Sequence, residues 1–335
     1  MPTSSKRQSE HLSVLIVGCG QIAGGYDRPE DEAIKTHAKA YLGHGGFRLA
    51  ACIDPDPERA RDFARIWGIP QAYTRLEEAA GQHYDVVSLC SPADAHARQL
   101  EMLLDWDVGL VFCEKPLTDD LSRSRQLVEA YRAKGRPLVV NYQRRWEPCV
   151  RAVKAEIAAG EWGRLLSAHG LYTKGIYANG SHLIDLLQYL LGPVEPVMVT
   201  GSRIDYLPED PSLSGLLVDS ARAPITLSIG DHRCFTLFEL DLLFERGRVT
   251  FSDSGWTIGR RHIIDDPKYR GYRILEPLVP EASAMGQAFS AAVADIHAAL
   301  TRAGELPSTG ATALATHETC HRLHEMATQS ERIDR

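Results

Sequence analysis

Apolar and polar residues fall in alternating blocks along the first half of the chain. "SVLIVGCG", "RLAACIDPDP", "DVVSLCSP", "VGLVFCEKP" and "PLVVNYQ" are short runs of Val, Ile, Leu or Cys, each closed by a turn or polar residue. Runs of this kind predict strands buried on both faces, as parallel strands are. Between them, "PERARDFARIWG", "ADAHARQLEMLLDW" and "DDLSRSRQLVEAYRAKG" carry apolar residues at three- and four-residue spacing. The first has proline in its opening turn and stops at Gly68, so all three predict amphipathic helices. Strands alternating with helices predict an α/β fold with a doubly wound parallel sheet. Ligands on such sheets bind at the carboxyl ends of the strands, where these runs place their polar residues.

The pattern changes in the second half. "LLSAHGLYTKG", "VMVTGSRIDY", "ITLSIGDHR", "FTLFELDLLFERGRVTF" and "GWTIGRR" read as successive strands with turn signals between them. The 335 residues suffice for two domains, expected over 1–145 and 146–335.

Composition narrows the function. Hydrophobic residues make up 44% and charged residues 24%, an ordinary globular balance. No apolar run approaches the roughly 20 residues of a spanning helix, so no membrane partner is expected. A net charge of −7 repels phosphate backbones and argues against nucleic acid as a partner. The start, "MPTSSKRQSEHLS", lacks the apolar core of a signal peptide and reads as a frayed tail, which places the protein in the cytoplasm. The seven cysteines form no C-x-x-C pair, and the first four lie in or beside strand-like runs, where reduced cysteine packs as a small hydrophobe.

The first strand ends in "VGCGQIAGG", in which Gly18-Cys19-Gly20-Gln21-Ile22-Ala23 fits G-x-G-x-x-G/A. Gly18 permits a tight turn, Gly20 lets the backbone approach a pyrophosphate, and Ala23 allows close helix–strand packing. The phosphates would sit on the N-terminus of the following helix. The second strand ends in Asp54, an acid placed to bond ribose hydroxyls and to repel a 2′-phosphate, which favours NAD over NADP. Asp54 follows Gly20 by 34 residues, where about 20 is usual. The excess, "GGYDRPEDEAIKTH", reads as a loop inserted before the helix "HAKAYLGHG", either rimming the cofactor site or inert surface.

Further motifs resemble the glucose–fructose oxidoreductase/inositol dehydrogenase (Gfo/Idh/MocA) family. They are "CEKPLTDD" after the fourth strand, "CSPADAHARQLEMLL", which is similar to S/T-P-x-x-x-H before a helix, the junction "VNYQRRWEP", and the helix "NGSHLIDLLQYLLG". Their order and spacing cover nearly the whole chain. The resemblance implies an N-terminal Rossmann domain and a C-terminal α/β domain with an open, largely antiparallel sheet, whose exposed face pairs subunits into a homo-oligomer. It implies an NAD(P)-dependent dehydrogenase or reductase acting on a carbinol or ketone of a sugar-type substrate, with phosphorylated and nucleotide-linked sugars within the class. The alternative is a dinucleotide- or sugar-binding protein of the same fold with little turnover.

By the same resemblance Ser91, Pro92 and His96 belong to the cofactor site with Gly18, Gly20, Gln21, Ile22, Ala23 and Asp54, and Glu114 reaches the nicotinamide ribose. Lys115 supplies charge at the reacting oxygen, and His182 is the acid/base, since histidine titrates nearest neutral pH. The family's aspartate four residues before this histidine is here Ala178, with Asn179 the nearest polar residue and Asp185 an acid one turn on. A slipped register would instead use Asp185 and Tyr189. Arg144, Arg145, Tyr172 and Lys174 lie on segments expected to face the cleft, and with Asn179 and Asp185 they make up the candidate substrate contacts.

One motif points elsewhere. "THETCHRLHE" contains His317-Glu318-Thr319-Cys320-His321, an H-E-x-x-H match. The extended form with a third histidine fails, because Leu323 and Ala327 fall outside it and His324 has the wrong spacing. Ala313, Leu314, Thr316, Cys320, Leu323 and Ala327 make one apolar or small face, so the stretch reads as a plain amphipathic helix and no metal is expected.

Overall fold

The computed structural model describes residues 11–333, with side chains to residue 329. The proposed frayed tail over residues 1–10 lies outside them. Six strands, β1 (Leu12–Val17), β2 (Phe47–Ile53), β3 (Gln71–Tyr73), β4 (Tyr84–Leu89), β5 (Val108–Cys113) and β6 (Leu138–Val140), form one parallel sheet in the order β3-β2-β1-β4-β5-β6. The strand order reverses between β1 and β4, the crevice where doubly wound sheets bind ligands. The helices between them are α1 (His37–His44), α2 (Pro57–Trp67), α3 (Ala93–Leu103) and α4 (Leu121–Ala133).

Their ends follow from local chemistry. Asp56 caps α2 by accepting from the N–H groups of Glu58 and Arg59, Pro57 fills the first turn, and Gly68 closes it at φ 66°. Asp120 caps α4 through the N–H of Arg123. The central strands are apolar on both faces because helices cover both; Val14, Leu15, Ile16, Val86 and Val87 are fully buried.

The second unit begins at Tyr142. Its helices α5 (Pro148–Ala158) and α6 (Ser181–Leu191) accompany strands β7 (Leu165–Tyr172), β8 (Val194–Leu207), β9 (Asp210–Asp219), β10 (Pro224–Ile229), β11 (Phe238–Phe244), β12 (Gly247–Ser252), β13 (Thr257–Asp265), β14 (Arg273–Leu275) and β15 (Pro280–Ala282). The sheet runs β14-β13-β12-β11-β7-β10-β9-β8, with β15 on β13, and only the β7–β10 pair is parallel. Leu183, Ile184, Leu186, Leu187 and Leu190 make α6 apolar on most sides, and it is the core helix of this unit. Gly170 of β7 admits it closely, since a Cβ there would stand 2.5 Å from Leu183 Cδ2.

Two helices close the chain. Helix α7 (Ala288–Arg302) and the segment after it divide differently from the expected 146–335 block: residues 289–311 pack with the first unit, and the remainder, with α8 (Gly310–Ile333), packs with the second from residue 312. Ser308 anchors this return by donating to the carbonyl of Val140 in β6, 2.6 Å away.

Candidate functional site

The carboxyl edge of the parallel sheet carries the first group of candidates. Gly18 leaves β1 at φ +89°, and a Cβ there would lie 2.7 Å from the backbone nitrogen of Ser91, so only glycine fits. Gly20 differs, with nothing within 4 Å of where its Cβ would stand. The expected α-helix does not start here. Gln21–Gly25 form a single π-turn, in which the N–H of Gly25 reaches Gly20 O at 3.3 Å and that of Tyr26 reaches Gln21 O at 3.2 Å. The inserted residues displace the helix, which begins only at His37. Gln21 is exposed, Ile22 half-buried and Ala23 fully buried.

Asp54 stands at the end of β2 with its carboxylate almost covered. Oδ2 accepts from Cys19 N–H at 2.9 Å; Oδ1 accepts from Asp56 N–H at 3.0 Å and from the Arg59 guanidinium at 3.3 Å. The acid therefore fixes the glycine loop as well as facing a cleft of about 710 Å³ lined by Gly18, Asp54, Arg59, Thr74, Ser91 and Arg98. Arg59 remains half-exposed and offsets part of the charge of Asp54.

Glu114 and Lys115 follow β5, and the Lys115–Pro116 peptide is cis. Glu114 Oε1 accepts from His37 Nε2 at 2.8 Å and from Asn141 Nδ2 at 2.6 Å. Burial pushes this carboxyl up, but the bonds from His37 and Asn141 and the charge of Lys115 outweigh it and hold the group below the usual range. His37 and Asn141 were not among the sequence candidates. The signal that could have found His37 is Thr36 just ahead of it, a helix cap that brings the ring to the strand edge. His96 is buried as a strut between loops, with Nε2 2.9 Å from Ser91 O and Nδ1 3.0 Å from Pro116 O. Ser91 donates to Gln99, and Pro92 opens α3.

The candidates in the second unit divide. His182 lies in the first turn of α6, half-buried, its ring edge-on to Tyr142 at 5.7 Å. Arg144 is stacked on Phe238 at 3.6 Å and donates to Ser254 O at 3.0 Å. Its Nε is buried without a partner, and burial lowers its pKa to about 10. Lys174 has its ammonium 4.9 Å from the Tyr206 ring.

Four expected substrate contacts are taken up inside the unit. Arg145 and Asp185 are buried against each other, Nε lying 2.9 and 3.0 Å from the two carboxylate oxygens, and Thr316 donates to the same acid at 3.2 Å. Asp185 is therefore committed to a guanidinium rather than standing as a free acid for His182. The alternative pair Asp185–Tyr189 belongs to the same cluster, since Arg145 lies 5.0 Å over the Tyr189 ring. Tyr172 is fully buried and its hydroxyl bonds both the N–H and carbonyl of Leu213, so it faces no cleft. The Asn179 amide donates to the carbonyls of Thr173 and Leu237 and does not replace an aspartate. The N–H of Ala178 is held by Asp210 Oδ2 at 2.9 Å, so a carboxylate does stand beside this loop, bonded to its backbone.

The H-E-x-x-H residues lie within α8. Thr316, Cys320 and Leu323 face the core, and the histidines gather around Tyr177: His321 Nδ1 is 3.3 Å from its hydroxyl, and the rings of His317 and His324 are 5.8 and 5.7 Å away. Among the described residues no group of three His, Cys, Asp or Glu side chains is arranged to hold a metal ion.

The first unit fits a nicotinamide dinucleotide. Gly20 leaves room for a pyrophosphate, the cleft beside Asp54 suits an adenosine, and Glu114 offers a preset carboxylate at the next strand end. Comparison with known proteins agrees. Residues 12–142 match the model described as "Oxidoreductase family, NAD-binding Rossmann fold", so this stretch is similar to the oxidoreductases of that family. It is 32% identical over 182 residues to an inositol 2-dehydrogenase of Rhizobium meliloti, an alignment covering 50% of this chain and 54% of that protein. It is 25% identical over 208 residues to a D-apiose dehydrogenase of Paraburkholderia graminis, covering 57% and 52%. The chain spans about half the length of these curated relatives. The WlbA dehydrogenase of Bordetella pertussis, solved with NADH and UDP-GlcNAcA, has the same fold: TM-score 0.79, 20% identity, 96% of this chain and 97% of that one.

Proposed function

We propose that the protein is an NAD-dependent oxidoreductase that interconverts a carbinol and a ketone on a sugar or sugar derivative. The observation that carries this is the row at the sheet edge: open Gly20, buried Asp54, and Glu114 held beside Lys115. The likeness to sugar and inositol dehydrogenases supports the substrate class.

When bound, NAD supplies the hydride acceptor. The chain's own residues do the rest. Asp54 accepts from the adenosine ribose, and Glu114 orients the nicotinamide ribose. The Lys115 ammonium stabilises negative charge on the substrate oxygen as the hydride leaves, and the His182 imidazole takes the hydroxyl proton on a ring nitrogen. A basic side chain, Arg144, whose buried Nε lacks a partner, favours a substrate carrying a carboxylate or phosphate. Exposed apolar residues of β8, among them Val197, Met198, Ile204 and Leu207, support a homo-oligomer formed through the second unit's sheet.

The test is NAD reduction with a panel of polyols, sugars, uronates and nucleotide sugars. Turnover with any of them supports the enzyme. Affinity for NADH and a sugar without conversion supports the binding-protein reading, which Ala178 and the engaged Asp185 favour.

A further inference from the structure

The inserted loop after the glycine motif is built to deliver one side chain. Asp27, almost fully buried, accepts from Lys35 N–H at 2.7 Å and from Thr36 Oγ at 2.9 Å, closing the loop on itself. Thr36 then caps α1 through the N–H of Lys39, and α1 starts at His37. The His37 ring is fully buried between Phe112 at 4.7 Å and Phe289 at 5.2 Å. Packing alone would favour a third apolar ring there. A histidine carries a cost, because its Nδ1 is buried with no partner. What the imidazole gains is the bond from Nε2 to Glu114.

That bond falls on the same oxygen, Oε1, that Asn141 Nδ2 reaches from the end of β6. Asn141 shows the same cost, with Oδ1 buried and unpartnered. Two donors on one oxygen fix the carboxylate plane. A preset acceptor binds a hydroxyl more tightly than a rotating one, since less freedom is lost on binding.

We propose that His37 is a positioning residue: together with Asn141 it clamps Oε1 of Glu114 so that the other carboxylate oxygen meets the ribose hydroxyls of the bound dinucleotide. The inserted loop is then part of the cofactor apparatus. This rests on the dinucleotide reading above and assigns within it a role to His37, which lies outside every quoted motif, and to Asn141 of the "VNYQRRWEP" junction.

The experiment compares His37→Phe, which keeps the ring packing and removes the donor, with His37→Gln, which keeps a donor at similar reach. NADH affinity by fluorescence titration, thermal midpoint, and the KM for NAD against kcat are read for each, with Asn141→Ala as a second route to the same oxygen. His37→Phe is expected to weaken NADH binding about tenfold and to raise KM more than it lowers kcat. His37→Gln is expected to stay within about threefold of the wild type. In a Glu114→Gln background the His37→Phe effect should vanish. Unchanged NADH affinity in His37→Phe, or equal loss in both variants with equal loss of thermal midpoint, overturns the proposal. If His37→Phe does not fold, unchanged NADH affinity in Asn141→Ala overturns it. Wild-type protein that binds no NADH overturns the dinucleotide reading first, a result distinct from any of these.

Discussion

The guanidinium of Arg145 closes on the carboxylate of Asp185, its Nε 2.9 and 3.0 Å from the two oxygens and both residues about 95% buried or more. Removing one partner leaves an uncompensated buried charge. Arg145→Ala should therefore cost about 3–5 kcal/mol of stability. Replacing both residues with Met and Leu should cost far less. Denaturant unfolding of the single and double variants checks this.

The same pair makes a pH prediction. Burial raises the Asp185 carboxyl to about 6, against the opposing pull of Arg145. Its folded pKa is above the unfolded value, so the folded state takes up the proton first. The contribution of this group to stability is complete below about pH 4 and is lost as pH rises through about 6. Wild type should gain stability relative to Asp185→Asn on acidification through that window. A flat difference contradicts it.

Gly18 and Gly20, two residues apart, should fail differently. Gly18→Ala forces a side chain to φ +89° against Ser91 and should lower stability by roughly 2 kcal/mol or more. Gly20→Ala meets nothing within 4 Å, so it should melt like the wild type and yet bind NADH at least about tenfold more weakly. Thermal melts paired with NADH titrations separate the two.

Arg59 beside Asp54 sets how strongly NADP is refused. Its guanidinium lies 3.3 Å from the acid and is half-exposed at the cleft. Arg59→Ala should weaken NADPH binding about five- to tenfold more than NADH binding, because a 2′-phosphate loses a cation while the ribose keeps its acid. Equal changes for both cofactors contradict this.

Much of the first unit was legible because its strands are apolar on both faces and its helices carry caps such as Asp56 and Gly68. Strand β9, "DPSLSGLLVD", was not named, since its serines and glycine interrupt both periodicities. The return of residues 289–311 to the first unit was hidden because an amphipathic face does not say which core it joins. The sequence shows charges and not their partners, so Arg145 and Asp185 read as two substrate contacts when each is the other's counterion. His37 was masked by the insertion that separates it from the glycine motif; Asn141 lies in the "VNYQRRWEP" junction, but the sequence does not show that its amide meets Glu114.

The central claim is a dinucleotide oxidoreductase, and Lys115→Ala tests it most directly. Lys115 is assigned to the transition state and not to cofactor binding. NADH affinity in the variant should stay within about threefold of wild type, while turnover with an accepted sugar-type substrate should fall by about two to three orders of magnitude. Turnover that survives the substitution would contradict the account.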